Sequence, residues 1–473
     1  MSAAAATIRS ICCIGAGYVG GPTMAVIADR CPALEVTVVD LNAERINAWN
    51  DPDLSRLPVY EPGLAAVLGR VRGRNLHFST AVDEAIAAAD MVFISVNTPT
   101  KTRGLGAGQA SDLRWVEASA RTVARAARGH TIVVEKSTLP VRTAAVIEQI
   151  LSAAQRNTGS AEKRTFSVLS NPEFLAEGTA VADLETPDRV LIGGADPAAI
   201  EALAGIYAHW VPAGRILRTN LWSSELSKLT ANAFLAQRIS SINGIAAFCE
   251  ATGADVRDVA RAIGADSRIG SRFLQAGPGF GGSCFQKDIL NLVYLCRHYG
   301  LEEVADYWEQ VVVLNRWQQR RIARLVVNRL FGTVTGKRIG VLGFAFKADT
   351  NDTRESPAIA ICRDLLEEGA VLQILDPQVS PRQIARELGQ EPADPAMAAL
   401  PDGSWLAVAD PLQAACGADA LVLLTEWQLF AQLDWLQIAA RMRQPAWLFD
   451  ARACADAAAA RAAGLQVWTV GEG

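Results

Sequence analysis

Cys284 stands in a setting that suits covalent chemistry on a carbonyl carbon. It follows the glycine-rich residues 277–283, and a helical pattern begins directly after it. Glycine lets the backbone pass close to a ligand, and the positive end of a helix stabilises a thiolate, which is the reactive form of cysteine. Asp288 lies one helical turn further on, so its carboxylate shares a face with the thiol. A thiolate beside a carboxylate favours nucleophilic catalysis.

The other cysteines fit a structural interpretation. Nine cysteines and four histidines are scattered along 473 residues, with no Cys-x-x-Cys pair and no metal-ligand spacing. We therefore expect neither a disulfide framework nor a metal site, and we expect a reduced, cytoplasmic protein. Cys12, Cys13, Cys249 and Cys296 lie in apolar stretches, where cysteine packs as a small hydrophobic side chain.

Two further groups of polar residues could take part in such chemistry. Lys228 and Asn232 are four residues apart in a long helical pattern and so share a face. A lysine on a helix is commonly solvated, or paired with an acid such as Glu225, so its type alone does not decide its role. Glu173 follows the apolar run 166–170, at the end of a predicted strand, where parallel sheets bind their ligands.

A nucleotide-binding fingerprint lies near the start of the chain. The predicted strand 10–14 runs into Gly15, Gly17 and Gly20, spaced as Gly-x-Gly-x-x-Gly, and a helical pattern follows. These glycines permit a tight turn, close approach to a pyrophosphate and close packing of helix on strand. Asp40 ends the next predicted strand, where a carboxylate accepts hydrogen bonds from a ribose 2′-hydroxyl and repels a 2′-phosphate. The pattern predicts NAD rather than NADP as the cofactor.

The length and charge of the chain indicate a globular protein of several domains. Its 473 residues exceed the size of one core, half of them are apolar, and the net charge is −5. This mild charge argues against a nucleic-acid partner, and the lack of a long uncharged apolar run argues against a membrane span.

Alternating strand and helix patterns predict an α/β fold with two Rossmann-like, doubly wound domains, joined by a central all-helical domain. We place these domains at residues 1–215, 331–473 and 216–330, with a dimer interface in the helical one. The predicted strands are 10–14, 35–39, 91–96, 131–135, 166–170, 189–193, 338–342, 371–375 and 420–424. The predicted central helices are 221–252, 255–263, 285–298 and 304–330.

Segments spread in order along essentially the whole chain resemble the UDP-glucose/GDP-mannose dehydrogenase family. They are GAGYVG, SVNTPT, EKSTLPVR, SNPEFLAEGTA, ELSKLTANAFLAQRISSIN, RIGSRFL, GFGGSCFQKD, LGFAFKADTNDTRES and LFDAR. GFGGSCFQKD is the most specific of them. Its Gln286 is similar to the animal and plant members, where common bacterial members have proline.

The resemblance implies a four-electron oxidation of UDP-glucose to UDP-glucuronate that consumes two NAD⁺. Cys284 would capture the C6 aldehyde as a thiohemiacetal and then hold a thioester until water releases the acid. Lys228 and Asn232 would stabilise the developing oxyanion. Glu173 would be the general base, acting through a water molecule that Asp288 and Thr138 position.

The resemblance also implies which residues bind the ligands. Cofactor contacts would come from Gly15, Gly17, Tyr18, Val19, Gly20, Asp40, Arg45, Val96, Asn97, Thr98, Pro99, Ser137, Glu177 and Arg354. Substrate contacts would come from Phe174, Leu175, Arg268, Gln275, Phe280, Gly281, Phe346, Lys347 and Arg452. Arg268 would reach the substrate site of a neighbouring subunit, which implies a homodimer or a larger homo-oligomer.

One departure from the family and three alternatives stay open. Ala451 stands before Arg452 where the family has glycine; if that glycine adopts a positive φ, Arg452 would approach differently. The substrate could be another nucleotide-sugar, such as GDP-mannose or a UDP-N-acetylhexosamine. A two-electron dehydrogenase of the hydroxyacid type would have no use for Cys284. A non-catalytic NAD-sensing protein would have lost the reactive residue types, which are all present.

Overall fold

The computed structural model describes residues 8–137, 143–157, 164–176, 178–397 and 399–473. Thr138 and Glu177, two of the predicted site residues, lie outside this described part. The chain forms two compact units. The first comprises Met1–Ala231 and Leu290–Tyr299, and the second comprises Asn232–Ile289 and Gly300–Gly473.

An eight-stranded sheet forms the centre of the first unit. Its strands are β1 Ser10–Ile14, β2 Glu35–Val39, β3 Leu76–Ser79, β4 Met91–Ile94, β5 His130–Glu135, β6 Thr165–Ser170, β7 Val190–Gly194 and β8 Ile216–Thr219. Their order in space is β3-β2-β1-β4-β5-β6-β7-β8, and β6 pairs antiparallel with β7 while the other pairs are parallel. The helices of this unit are α1 Gly20–Arg30, α2 Ala43–Asn50, α3 Leu64–Val71, α4 Val82–Ala87, α5 Arg114–Ala126, α6 Thr143–Asn157, α7 Ala180–Glu185 and α8 Pro197–Tyr207.

Helices cover both faces of this sheet, which explains why its strands are apolar without interruption. Successive residues of β1 belong to different cores: Cys13 packs in one hydrophobic cluster and Cys12 in the other. In β4, Phe93 and Val92 divide in the same way. Cys12 and Cys13 are therefore core residues, as the sequence indicates.

A long helix, α9 Leu221–Thr252, has the bounds that its apolar periodicity predicts. Its first part belongs to the first unit and its residues from Asn232 belong to the second. Lys228 and Asn232 thus fall on either side of the division.

The second unit continues with three helices and a six-stranded sheet. The helices are α10 Val256–Gly264, α11 Phe285–His298, whose residues from Leu290 belong to the first unit, and α12 Glu302–Arg329. The strands are β9 Arg338–Leu342, β10 Val371–Leu375, β11 Trp405–Ala407, β12 Ala420–Leu423, β13 Trp447–Asp450 and β14 Gln466–Thr469. They lie in the order β11-β10-β9-β12-β13-β14, with every pair parallel. The helices between them are α13 Pro357–Glu367, α14 Pro381–Leu388, α15 Pro411–Ala415, α16 Gln428–Ala431, α17 Trp435–Ala439 and α18 Ala457–Ala462.

Local sequence signals fix where several of these helices begin. The helices α13, α14 and α15 each start at a proline, whose fixed φ suits the first helical position. The side chains of Ser356, Ser380 and Asp410 precede these prolines and accept hydrogen bonds from backbone N–H groups of the first turn.

The predicted fold class is confirmed, with two differences in detail. The antiparallel strand β7 was predicted as one more strand of a parallel sheet, and this part of the prediction is wrong. Several short strands, β3, β8, β11, β13 and β14, were not predicted at all. The bounds of the three domains stay a prediction. Within the described ranges, the helices include none that is long and apolar enough to cross a membrane.

Candidate active site

In the Gly-x-Gly-x-x-Gly turn, close packing requires glycine at two positions, whereas the third glycine has open space beside it. Gly15 has a φ of +110°, and a Cβ on it would lie 2.2 Å from the backbone oxygen of Ser95. A Cβ on Gly20 would lie 2.0 Å from the backbone oxygen of Gly15. A Cβ on Gly17 would meet no atom of the described residues within 4 Å. Gly15 and Gly20 therefore serve packing, whereas Gly17 leaves the turn accessible to a ligand.

Asp40 lies against this turn. Its Oδ2 accepts a hydrogen bond of 3.0 Å from the backbone N–H of Ala16, and its Oδ1 accepts one of 2.9 Å from Asn42. Arg45 forms an ion pair with Asp40 at 3.1 Å and is itself exposed. The structure thus brings Asp40 and Arg45 to the glycine turn, with Tyr18 and Val19 partly buried within it.

The predicted contacts that follow β4 and β5 lie beside the same turn. The Oγ of Ser137 donates a 2.7 Å hydrogen bond to the backbone oxygen of Val96. Thr98 is buried, Asn97 is exposed and Pro99 is partly buried. These residues follow Ser95, whose backbone oxygen faces Gly15.

Lys228 and Glu173 form a buried ion pair in the first unit. The Lys228 Nζ lies 3.6 Å from the Glu173 Oε1, and the two residues are 4% and 6% exposed. The Nζ also lies 5.5 Å from the centre of the Phe174 ring, beside partly buried Leu175. Lys228 is therefore buried, whereas a lysine on a helix is commonly solvated. The Lys228 side chain thus lies in a buried setting, where electrostatic interactions are stronger than in water.

Cys284 lies immediately before the first residue of α11 in the second unit. The backbone N–H of Asp288 donates a 2.8 Å hydrogen bond to the backbone oxygen of Cys284, which closes the first helical turn. The Ser283 Oγ lies 3.3 Å from the Cys284 Sγ, and Cys284 is partly exposed. Cys12, by contrast, is fully buried, and this burial raises the pKa of its thiol to about 12. Cys284 is thus accessible where Cys12 is inert.

The Asp288 carboxylate is held from two directions. The Asn232 Nδ2 donates a 2.6 Å hydrogen bond to its Oδ2, and the Lys287 Nζ lies 3.3 Å from its Oδ1. Asp288 is 1% exposed. These contacts join α9 to the start of α11 and bring together Asn232 and Asp288, two of the predicted site residues. Lys287 was overlooked there, although it stands within the GFGGSCFQKD segment.

The glycine-rich residues before Cys284 pack closely against the rest of the second unit. The Asn315 side chain forms two hydrogen bonds with the backbone of Phe280. It accepts from the N–H at 2.8 Å and donates to the carbonyl oxygen at 3.0 Å. A Cβ on Gly281 would lie 2.5 Å from the backbone oxygen of Glu355 and 2.9 Å from the Phe346 Cβ. Phe280, Gly281 and Phe346 are therefore neighbours, as expected for one binding surface.

Arg452 reaches the same surface from the end of β13. It donates hydrogen bonds of 2.9 Å to the Leu424 oxygen and 2.8 Å to the Phe346 oxygen. A Cβ on Gly277 would lie 3.4 Å from its Nη1. Ala451 does not adopt a positive φ, so alanine is compatible with this position of Arg452.

The other residues of the second unit that were predicted to bind ligands form two groups, one next to the glycine-rich segment and one exposed. The Lys347 Nζ lies 5.6 Å from the Phe346 ring centre, and the backbone oxygen of Arg354 accepts a 2.8 Å hydrogen bond from Gly282. These two residues therefore adjoin the glycine-rich segment. Arg268 is paired with Asp266 at 2.6 Å, with 87% of its side chain exposed, and Gln275 is also exposed.

Sequence reasoning also overlooked contacts that involve residues far apart in the chain. The Gln286 Nε2 donates a 2.7 Å hydrogen bond to the Glu355 Oε2. Glu135 ends β5 and Lys136 follows it, and both are buried, at 2% and 3% exposure. Two charged residues directly after the apolar run 132–134 were the available signal.

Comparisons with known proteins agree over the length of the chain. Residues 9–211, 222–317 and 340–457 match the models of the NAD binding, central and UDP binding domains of the UDP-glucose/GDP-mannose dehydrogenase family. UDP-glucose 6-dehydrogenase 2 of Oryza sativa subsp. japonica is 56% identical over 98% of this chain and 97% of its own. UDP-glucose 6-dehydrogenase of Gallus gallus is 55% identical over 98% of this chain and 93% of its own.

A solved structure agrees as well. The UDP-glucose dehydrogenase of Pyrobaculum islandicum is 31% identical and has a TM-score of 0.83, covering 100% of this chain and 99% of its own. The resemblance read from the sequence motifs is confirmed, as are the enzymatic nature of the protein and NAD as its cofactor. The chain belongs to the UDP-glucose/GDP-mannose dehydrogenase family.

Proposed function

We propose that the protein oxidises UDP-glucose to UDP-glucuronate with NAD⁺, through a covalent intermediate on Cys284. The observation that carries this proposal is the accessible cysteine at the start of α11, with Asp288 fixed one turn away. Relatives named UDP-glucose 6-dehydrogenase, at 55–56% identity over 98% of the chain, support the choice of sugar.

The glycine turn and Asp40 fit the proposed position of NAD⁺. Gly17 leaves space for a pyrophosphate at the start of α1, and Asp40 presents a carboxylate for a ribose hydroxyl. When bound, NAD⁺ supplies a hydride acceptor for each of the two oxidations. Tyr18, Val19, Arg45, the residues 96–99 and Ser137 complete this proposed site. The family resemblance implies that Arg354 is a further cofactor contact.

Cys284 makes the second oxidation, from the aldehyde to the acid, possible. Its sulfur adds to the aldehyde carbon, which forms a C–S bond and breaks the C–O π bond, and the thiol proton goes to the oxygen to give a hydroxyl. The resulting thiohemiacetal carbon again carries a hydrogen that can leave as hydride, while the hydroxyl releases its proton to water. The thioester that remains is cleaved by water, which breaks the C–S bond, gives the carboxylate and returns the thiol.

The buried polar groups have distinct proposed tasks. Lys228 stabilises negative charge on the C6 oxygen, because its ammonium group is buried and so acts at low dielectric. Asn232 adds a hydrogen-bond donor. Glu173 accepts the proton from water, and Asp288 orients that water. Thr138 and Glu177 keep the roles that the family resemblance implies.

The proposed sugar-nucleotide contacts lie around the glycine-rich segment. Arg452 and Lys347 carry the positive charge that a diphosphate requires. Phe280, Gly281 and Phe346 form the surface beneath them. The further proposed contacts are Phe174, Leu175, Arg268 and Gln275.

Two glycine substitutions separate packing from cofactor binding. In Gly15→Ala, the new Cβ would lie 2.2 Å from the Ser95 oxygen at a φ of +110°. We therefore expect the free energy of unfolding to fall by roughly 1–3 kcal/mol. The affinity for NAD should fall as well. Gly17→Ala meets no described protein atom, so the free energy of unfolding should change by at most about 0.5 kcal/mol. NAD affinity should still fall at least about tenfold, since the Cβ occupies the approach to the pyrophosphate. Urea unfolding and NADH titration measure the two effects. Unchanged affinity in Gly17→Ala would contradict the proposed cofactor position.

The identity of the sugar is tested by a panel of nucleotide-sugars. UDP-glucose should give the highest kcat/KM with NAD⁺, above GDP-mannose and the UDP-N-acetylhexosamines. A clear preference for one of the others would leave the thiol chemistry in place and overturn the proposed substrate.

We also propose that the protein assembles into a homodimer or a larger homo-oligomer. Large apolar side chains are exposed on α9 and α12 within the second unit, among them Phe234 at 56%, Phe248 at 67% and Tyr307 at 55%. A surface of this kind is typical of a protein interface. The exposed Arg268 could then serve the site of a neighbouring subunit.

We propose a cytoplasmic location because the cysteines are free thiols. The nine cysteines are free, and those with the lowest exposure pack as core residues. An accessible thiol such as Cys284 is kept reduced in the cytosol, where disulfides are rare.

A further inference from the structure

An arginine on α9 holds a loop of the second unit through three backbone carbonyl groups. Residues 265–273, the Arg268 loop, directly follow α10. The Arg238 guanidinium group donates hydrogen bonds to the oxygens of Arg272 at 2.9 Å, Ile269 at 2.8 Å and Gly270 at 2.6 Å. Because a guanidinium group is planar and its N–H donors point in fixed directions, three such bonds define where the loop lies on α9.

Hydrogen bonds rather than apolar packing set the conformation of the Arg268 loop. Each of its residues is exposed or partly exposed, so burial of apolar surface contributes little there. The backbone N–H groups of Ile269 and Gly270 donate to the Asp266 backbone oxygen at 2.9 Å and 2.8 Å. The two residues whose carbonyl groups accept from Arg238 therefore also close a turn at Asp266.

The Asp266 carboxylate orients the side chain of Arg268. Its Oδ1 accepts hydrogen bonds of 2.9 Å from the Arg268 backbone N–H and 3.0 Å from the Arg268 Nε, and its Oδ2 accepts one of 2.6 Å from Nη2. The Arg268 side chain is nevertheless 87% exposed. Since a guanidinium group has five N–H donors, this pairing leaves donors for an acceptor such as a phosphate or a sugar hydroxyl.

The last residue of the Arg268 loop has a strained backbone. Phe273 has a φ of +61°, which is unusual for an aromatic residue. The Arg272 carbonyl group that accepts from Arg238 belongs to the peptide group before Phe273, whose rotation about the N–Cα bond defines this φ. The Phe273 ring centre lies 6.4 Å from that of Phe285, which directly follows Cys284. Arg238 thus fixes the strained peptide group through which the loop approaches the start of α11.

We propose that Arg238 is a positioning residue, which holds the Arg268 loop and so places Arg268 for contact with UDP-glucose. Arg238 binds the carbonyl groups of Ile269 and Gly270, and the N–H groups of these two residues bind Asp266. The Asp266 carboxylate in turn holds Arg268. Strained residues cluster at ligand-binding sites, and the conformation of Phe273 agrees with this role. The contact of Arg268 with the sugar-nucleotide rests on the proposed function, whereas the contact of Arg238 with the loop does not.

Arg238→Lys tests the hold on the loop in the full-length protein. The lysine ammonium group keeps the charge, but it is a compact point charge and cannot reproduce three bonds in the guanidinium plane. Amide hydrogen exchange of the Arg268 loop, followed by mass spectrometry without cofactor or sugar, measures how often the loop opens. We expect this exchange to be at least about tenfold faster in the variant, because hydrogen bonds from a charged group are lost. Unchanged exchange would overturn the proposal.

Steady-state kinetics of the same variant separates positioning from a purely structural role. A loop that is held less firmly presents Arg268 less often, so the KM for UDP-glucose should rise about tenfold, as on loss of one charge-assisted hydrogen bond. The kcat should change by less than about threefold, since the contact serves binding rather than the chemical step. A purely structural role would lower kcat through loss of folded enzyme and leave KM unchanged, and that result would overturn the positioning of Arg268.

A matched control and a second variant complete the test. The Arg261 side chain, on α10, is 81% exposed and pairs with Asp258, so Arg261→Lys should leave both exchange and KM unchanged. Arg238→Gln covers the case in which Arg238→Lys does not fold, and it should give the same two changes. If the unchanged protein did not oxidise UDP-glucose, the proposed function and the role of Arg268 would both be overturned. The exchange result would still decide whether Arg238 holds the loop.

Discussion

Replacing Cys284 by serine should reduce the formation of the sugar acid at least about a thousandfold, or about 4 kcal/mol in activation free energy. A serine hydroxyl is a much weaker acid than a thiol and remains protonated near neutral pH, so it cannot capture the aldehyde as a thiolate can. The rate of UDP-glucuronate formation, followed by chromatography, measures the loss. Cofactor binding should be unchanged, because the proposed NAD contacts of the glycine turn lie in the first unit.

A matched control distinguishes this role from a general sensitivity to thiol loss. Cys416 is exposed and lies in the loop after α15, so Cys416→Ser should keep the activity and the stability of the unchanged protein. Cys284→Ser should also keep its unfolding free energy within about 1 kcal/mol, since Cys284 is partly exposed. Full turnover to acid in Cys284→Ser would exclude the covalent mechanism.

Replacing Lys228 by methionine should lower kcat about 10²- to 10³-fold, the usual effect of removing one group that stabilises an oxyanion. Methionine keeps most of the volume and removes the charge. The variant should also be less stable by roughly 3–5 kcal/mol, because it removes the ammonium group that forms a buried ion pair with Glu173. Steady-state kinetics with UDP-glucose and denaturant unfolding measure the two losses separately.

A double variant separates catalysis from folding at this site. Adding Glu173→Gln to Lys228→Met removes the buried carboxylate that has lost its contact with the Lys228 ammonium group, so much of the lost stability should return. The activity should stay low, because both the oxyanion contact and the proposed base are absent. Recovery of activity together with stability would show that Lys228 acts only through the fold.

Much of the fold can be predicted from the sequence, because the periodic spacing of apolar residues indicates where the helices and strands lie. The helix α9 has 32 residues of regular pattern, and its ends lie where the pattern predicts them. The direction of β7 could not be predicted in the same way, because a short apolar run is compatible with either direction. The strand β11 has three residues, which is too short for a clear alternation.

The proximity of two predicted site residues could be foreseen where a local sequence pattern contains both of them. The glycine turn with Asp40, and Cys284 with Asp288, are both local patterns, and the structure places each pair together. The burial of Lys228 could not be foreseen, since it depends on Glu173 and Phe174, more than fifty residues earlier in the chain. Such contacts are set by the packing of α9 on the sheet and have no counterpart in local pattern.

The number of NADH molecules formed per UDP-glucose consumed tests the central claim most directly. With limiting UDP-glucose and excess NAD⁺, the absorbance of NADH at completion should correspond to two NADH per sugar, with UDP-glucuronate as the product. A value of one NADH per sugar, with a free aldehyde as the product, would contradict the thiol-linked double oxidation.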